Sequence, residues 1–172
     1  MKVSAIVCVA TMLLSVAGAS AQGVTDPQIA KIVVTANQVD IDAGKLAAAK
    51  SRNAEVKKFA QTMVTDHTGV NKQAVALVTK LKVTPADNDT AKSLYDGGQS
   101  NVATLKTLKG KAFDKAYIDH EVAYHTAVLE AVDKTLIPGA SNDELKALLV
   151  KVRPAFVAHL EHAKMIQASL GK

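Results

Sequence analysis

Apolar residues recur every three or four positions over most of this chain, and short breaks divide the rhythm into long runs. Ile29, Ile32, Ala36, Val39, Ala43 and Leu46 line one face of an α-helix. That helix opens at Asp26-Pro27, an acid at the cap followed by proline at the first helical position, and ends near Ser51. A second helix follows almost at once. Asn53 is its cap, and its seam runs through Val56, Ala60, Met63, His67, Val70, Ala74, Leu77 and Leu81. A link this short makes the two helices antiparallel. Thr84-Pro85 is expected to stop the second helix.

The stretch from Val83 to Gly110 keeps a weaker helical spacing at Ala91, Leu94, Gly98, Val102, Leu105 and Leu108, which Gly97-Gly98 is expected to bend or weaken. The next helix spans about Ala112 to Thr135, with Ile118, Val122, His125, Leu129, Val132 and Leu136 as its seam, and Pro138-Gly139 breaks the chain. Ser141 with Glu144 reads as a capping box for the last helix. Its seam is Leu145, Leu149, Val152, Phe156, His159, Ala163, Ile166 and Leu170. Pro154 should bend this helix and free the carbonyl of Val150. Two tight hairpins joined by one long, partly helical connection describe an all-α, ferritin-like four-helix bundle; a plain up-down bundle of five helices is the alternative.

Composition supports helix-on-helix packing. Hydrophobic residues make up 48% of the 172, aromatics only 3%, and there is no Trp, so the core is built from small and aliphatic side chains. The first 21 residues stand apart. Lys2 is followed by an apolar run from Val3 to Val16 and by the small-x-small pattern Ala19-Ser20-Ala21. This is the pattern of a secretory signal peptide cut after Ala21, too short for a membrane span. The expected product is one periplasmic domain, residues 22–172. The single cysteine, Cys8, leaves with the signal, which excludes disulfides, thiol catalysis and cysteine ligation from the mature domain. Losing Lys2 lowers the formal charge from +5 to +4, carried by scattered lysines rather than a block. Such a surface suits solvated helix faces, gives no nucleic-acid footprint, and permits at most peripheral envelope contact. It leaves the partner unknown and a homo-oligomer open.

The candidate chemistry lies within the seams. His67, His125 and His159 each occupy a position where an apolar residue is due, on three different helices. Each sits roughly 20–25 Å from its helix start at about 1.5 Å per residue, near mid-bundle. Asp40 borders the first helix's seam at the same level, Glu121 is one turn before His125, and His162 shares a side of the last helix with His159. Tyr117 and Tyr124 flank His125, and Asp66 precedes His67. Imidazoles and carboxylates inside a bundle are ligands for zinc, copper or iron. The competing reading is a structural network in which buried histidines hydrogen-bond across the core and fix its register. Met63 and Met165 are spaced to extend a copper-like set, although core filling accounts for both. His120 falls off the seam and reads as a surface residue. No Glu-x-x-His pair occurs on the two helices where a di-iron site needs it, and no complete catalytic motif appears, so enzymatic activity is not the expected role.

Several stretches resemble the DUF4142 family of bacterial envelope proteins, a domain of unknown function. They are the acid followed by Gly44-Lys45-Leu46-Ala47, Val56-Lys57-Lys58-Phe59-Ala60 leading to Met63 and Asp66-His67, Phe113-Asp114-Lys115-Ala116-Tyr117 leading to His125, and Pro154 leading to His159-Leu160. The resemblance implies a ferritin-like bundle outside the cytoplasm and carries over His67, His125 and His159. It implies no activity or ligand. In that family the acid of the first helix is commonly glutamate, whereas here it is Asp40.

Overall fold

The computed structural model describes residues 23–171. The expected signal peptide, its cut after Ala21 and Cys8 lie outside the described residues. What is described is all helical: α1 (Asp26–Lys50), α2 (Ala54–Lys80), α3 (Asp89–Thr107), α4 (Gly110–Ala131), a π turn (Val132–Leu136), the helical turn α5 (Ile137–Gly139) and α6 (Asp143–Leu170). None of these helices is long and apolar enough to cross a membrane.

α1 pairs with α2, and α4 pairs with α6. α3 runs back along the outside of α1 and joins the two hairpins, as the long connection in the sequence predicts. Its buried residues, Ala91, Gly98 and Leu105, fall seven apart and make one narrow stripe. The Gly97-Gly98 pair does not break it. Gly98 lets α3 approach α1 closely, because a Cβ there would lie 2.7 Å from both Val39 methyls.

Polar clamps close both ends. Ser51, in the α1–α2 link, donates to Asp114 of α4 at 2.6 Å. At the other end Asp26 accepts the backbone N–H groups of Ser141 and Asn142 at 2.9 and 3.0 Å. Asp26 is therefore not the cap of α1. Thr25 is, with its N–H donating to Gln28 in a capping box. The α6 cap likewise moves from Ser141 to Asn142, whose side chain accepts from Glu144 and Leu145. α2 ends at Lys80, before Pro85 acts. Lys82 adopts φ 56°, and Val83 N–H bonds back to Val78, a Schellman stop without glycine. α6 continues through Pro154. The proline faces solvent, where water can satisfy the freed Val150 carbonyl, and neighbouring Arg153 grips Asp133 of the π turn with two bonds of 2.6 and 2.7 Å.

The predicted seams of α2 and α6 are their buried faces, whereas α1 is buried over a wider surface than its predicted seam. In α6 every seam residue from Leu145 to Ile166 is buried, and in α2 every one from Val56 to Ala74. Their apolar side chains gather into two main clusters. One holds Phe59, Met63, Phe113, Tyr117 and Ile166; the other holds Ile29, Ile32, Leu136, Leu145 and Leu149. A buried polar layer separates them: Asn37, Asp40, His67, Glu121, His125 and His159.

Candidate metal centre

The three seam histidines meet. Ring centroids are 5.6 Å apart for His67 and His125, 5.2 Å for His67 and His159, and 5.4 Å for His125 and His159. One nitrogen from each ring lies within 4.8 Å of the other two, and Asp40, Glu121 and His125 form a second such set. A tetrahedral ion with bonds of about 2.0–2.1 Å holds its donors about 3.4 Å apart, so the rings need to draw in by no more than about 1.4 Å.

Each ring is anchored from behind by an acceptor, which sets its tautomer. Asn37 donates its amide N–H to the Val33 carbonyl at 2.8 Å, so the oxygen of that amide is the atom 2.6 Å from His67 Nδ1. His67 therefore donates from Nδ1. His125 Nδ1 donates to the Glu121 carbonyl at 3.1 Å, and His159 Nε2 donates to Asp66 at 2.9 Å. The remaining nitrogens, His67 Nε2, His125 Nε2 and His159 Nδ1, are buried lone pairs without a hydrogen-bond partner. This arrangement, one nitrogen tied to an outer acceptor and the other free, is how metal-ligating histidines are held.

A carboxyl group of α1 faces two of these lone pairs, and the Glu121 carboxyl lies 3.5 Å from His125 Nδ1. Asp40 Oδ2 is 3.0 Å from His67 Nε2 and 3.5 Å from His125 Nε2, and neither contact is aligned as a hydrogen bond. With those tautomers an ionised Asp40 faces two lone pairs, an arrangement that needs a proton or a cation between them. Burial pushes the Asp40 carboxyl up to about 7. Glu121 is raised well above the carboxylate range by burial and by the neighbouring Asp40. Burial and the neighbouring rings hold His67 far below the usual imidazole range and His125 down at about 4. His159 is lowered by burial, with Asp66 opposing. At neutral pH the imidazoles are unprotonated, the form that binds metals. The Tyr117 hydroxyl is buried without a partner, and burial and Glu121 keep it neutral; Tyr124 donates to the Ala36 carbonyl at 2.8 Å.

Of the sequence candidates, His67, His125, His159, Asp40 and Glu121 converge. His162 stands apart, edge-on to Phe59 at 5.3 Å. Met63 fills the apolar core beside Phe59, and Met165 is 65% exposed. His120 is not a surface residue: it is half-buried and stacks on Tyr124, 5.6 Å away. Sequence reasoning missed Asn37, which lies three residues before Asp40 and so on the same side of α1. That spacing was the available signal.

Neither a comparison with curated proteins nor one with solved structures finds a match. A family model does match, over residues 12–166 of the chain, a span that contains every residue of the polar layer. The chain belongs to the DUF4142 family, a domain of unknown function.

Proposed function

We propose that this protein is exported to the periplasm and holds one transition-metal ion at mid-bundle, as a binding or buffering protein rather than a catalyst. His67, His125 and His159 supply the nitrogen donors, and Asp40 and Glu121 supply oxygen. Such a mixed set suits zinc, copper or iron, and it contains no thiolate to bias the choice. One observation carries the reading. All three rings are anchored through one nitrogen and leave the other as a buried lone pair, and one nitrogen of each ring lies within 4.8 Å of the other two. A purely structural network has no use for that pattern, since buried polar atoms without partners cost about 1–3 kcal/mol each.

The test is elemental analysis of untagged protein isolated from the periplasmic fraction, paired with zinc, copper and iron titrations of the chelator-treated chain. A stoichiometric metal is expected, together with a rise in melting temperature that His125→Ala abolishes. If no metal raises the melting temperature, the histidines are scaffold. Intact mass of the same sample should lack the first 21 residues, and a full-length chain in the inner membrane would overturn the export reading.

A further inference from the structure

α3 packs on α1 through its narrow stripe and touches α4 far less, so a cleft remains between the crossover helix and the second hairpin. Beneath it lies a cavity of about 320 Å³, which passes from the exposed residues Thr90, Ala127 and Thr135 inward to Asp40, His67 and His125. Its walls are largely aliphatic, with Ile32, Val33, Leu94, Val128 and Leu149 among them and Phe156 near the floor. Small-molecule sites run from about 300 to 1,000 Å³ with apolar walls and a few converging polar groups, and this cavity meets both criteria. The π turn forms part of the wall through Val132, Thr135 and Leu136. Such turns recur at functional sites because they widen the helix locally.

The lining also defines what fits. None of the described lining residues is Lys or Arg, so an anionic head would meet only Asp40 and go unmatched. A cationic head would have to shed its water along an aliphatic passage. At the floor both Asp40 oxygens lack an aligned donor. A neutral group with one donor can pair with one of those oxygens and passes the walls.

We propose that this cavity binds a small, neutral, mainly apolar molecule bearing one hydroxyl, its body between α1, α3 and α4 and its hydroxyl donating to Asp40. This reading shares Asp40 with the metal reading, and metal-free protein is used so that the failure of one is distinguishable from the failure of the other. Three probes with one apolar body, 4-butylphenol, butylbenzene and 4-butylbenzoate, are titrated into the chelator-treated exported chain, and methyl resonances of Val128, Val132 and Leu136 are followed by NMR. Saturable shifts are expected at those methyls. The phenol should bind about tenfold tighter than the other two, the worth of one hydrogen bond to an otherwise unpaired buried acceptor. Ala131→Leu, which fills the cavity, should weaken all three probes at least about tenfold by loss of apolar contact, with the melting temperature showing that the bundle is intact, whereas Thr135→Phe, at the exposed mouth, should slow their exchange. Asp40→Ala should erase the preference for the phenol while leaving butylbenzene unaffected. The proposal is overturned if the phenol gives no saturable shift, if it binds no tighter than butylbenzene or the benzoate, or if binding survives Ala131→Leu undiminished.

Discussion

Replacing Asp40 with asparagine separates what the polar layer does for the fold from what it does for a ligand. In metal-free protein the ionised Asp40 carboxylate lies 3.0 Å from the lone pair of His67 and 3.5 Å from that of His125. The raised folded-state value, about 7 against 3.8, corresponds to about 4 kcal/mol against the ionised form at about 1.4 kcal/mol per pKa unit. Between pH 3.8 and about 7 the folded chain keeps a proton that the unfolded chain has released, so this group's stabilisation is present below pH 3.8 and is lost as pH rises through about 7. The asparagine side chain carries no such slope, and its amide N–H groups can donate to the histidine lone pairs. The variant should therefore match the wild type near pH 4 and exceed it at pH 8 by at least about 1 kcal/mol, read as about 2–4 °C in the melting temperature of a chain this size. Zinc should reverse the order. At about one hundred times its dissociation constant it adds about 2.7 kcal/mol to the wild type, and little to a variant that has lost an anionic ligand. Differential scanning calorimetry across pH 4–8, with and without zinc, measures both effects. An Asp40→Asn chain less stable than wild type at pH 8 without metal would refute the electrostatic reasoning.

Zinc affinity should rise with pH through about 7, because the imidazoles are already neutral there and the ion has to displace protons from Asp40 and Glu121 instead. Calorimetry in two buffers of different ionisation enthalpy should register proton release at pH 6.5, and a dependence centred below pH 6 would place control on the imidazoles. The paired glycines of α3 should part company. Gly97→Ala, with nothing within 4 Å of the added carbon, should stabilise by about 0.5–1 kcal/mol. Gly98→Ala should cost about 1–3 kcal/mol as Val39 is pushed aside, and equal denaturant midpoints for the two would mean that α3 does not approach α1 as described.

The seams were legible because a helix buries positions at a fixed period, and an interruption of that period by histidine is itself visible. The same regularity placed three rings at one depth, since helices of similar length share a midpoint. Local choices depending on distant partners were not legible. Thr25 and Asp26 are both capable caps, as are Ser141 and Asn142, and the decision comes from Asp26 holding the backbone of residues 141 and 142 more than a hundred positions away. Glycine in α3 reads as a weakness because sequence shows a missing side chain but not the Val39 methyls that need the space. The anchors Asn37 and Asp66 mattered more than their positions suggested, because tautomer control depends on which atom faces the ring, a property of three-dimensional contacts. The π turn left no pattern, since Val132 and Leu136 stay buried with or without the extra residue.

The crossover helix has a kinetic consequence. α3 buries only three positions, and two of them are alanine and glycine, whereas α1 and α6 bury eleven and eight. Local opening of α3 should therefore cost much less free energy than global unfolding, and its amides should exchange with deuterium well before those of α1 and α6. Since α3 is also the outer wall of the cavity, a molecule too bulky for the mouth would enter at a rate set by this excursion, leaving its equilibrium affinity unchanged.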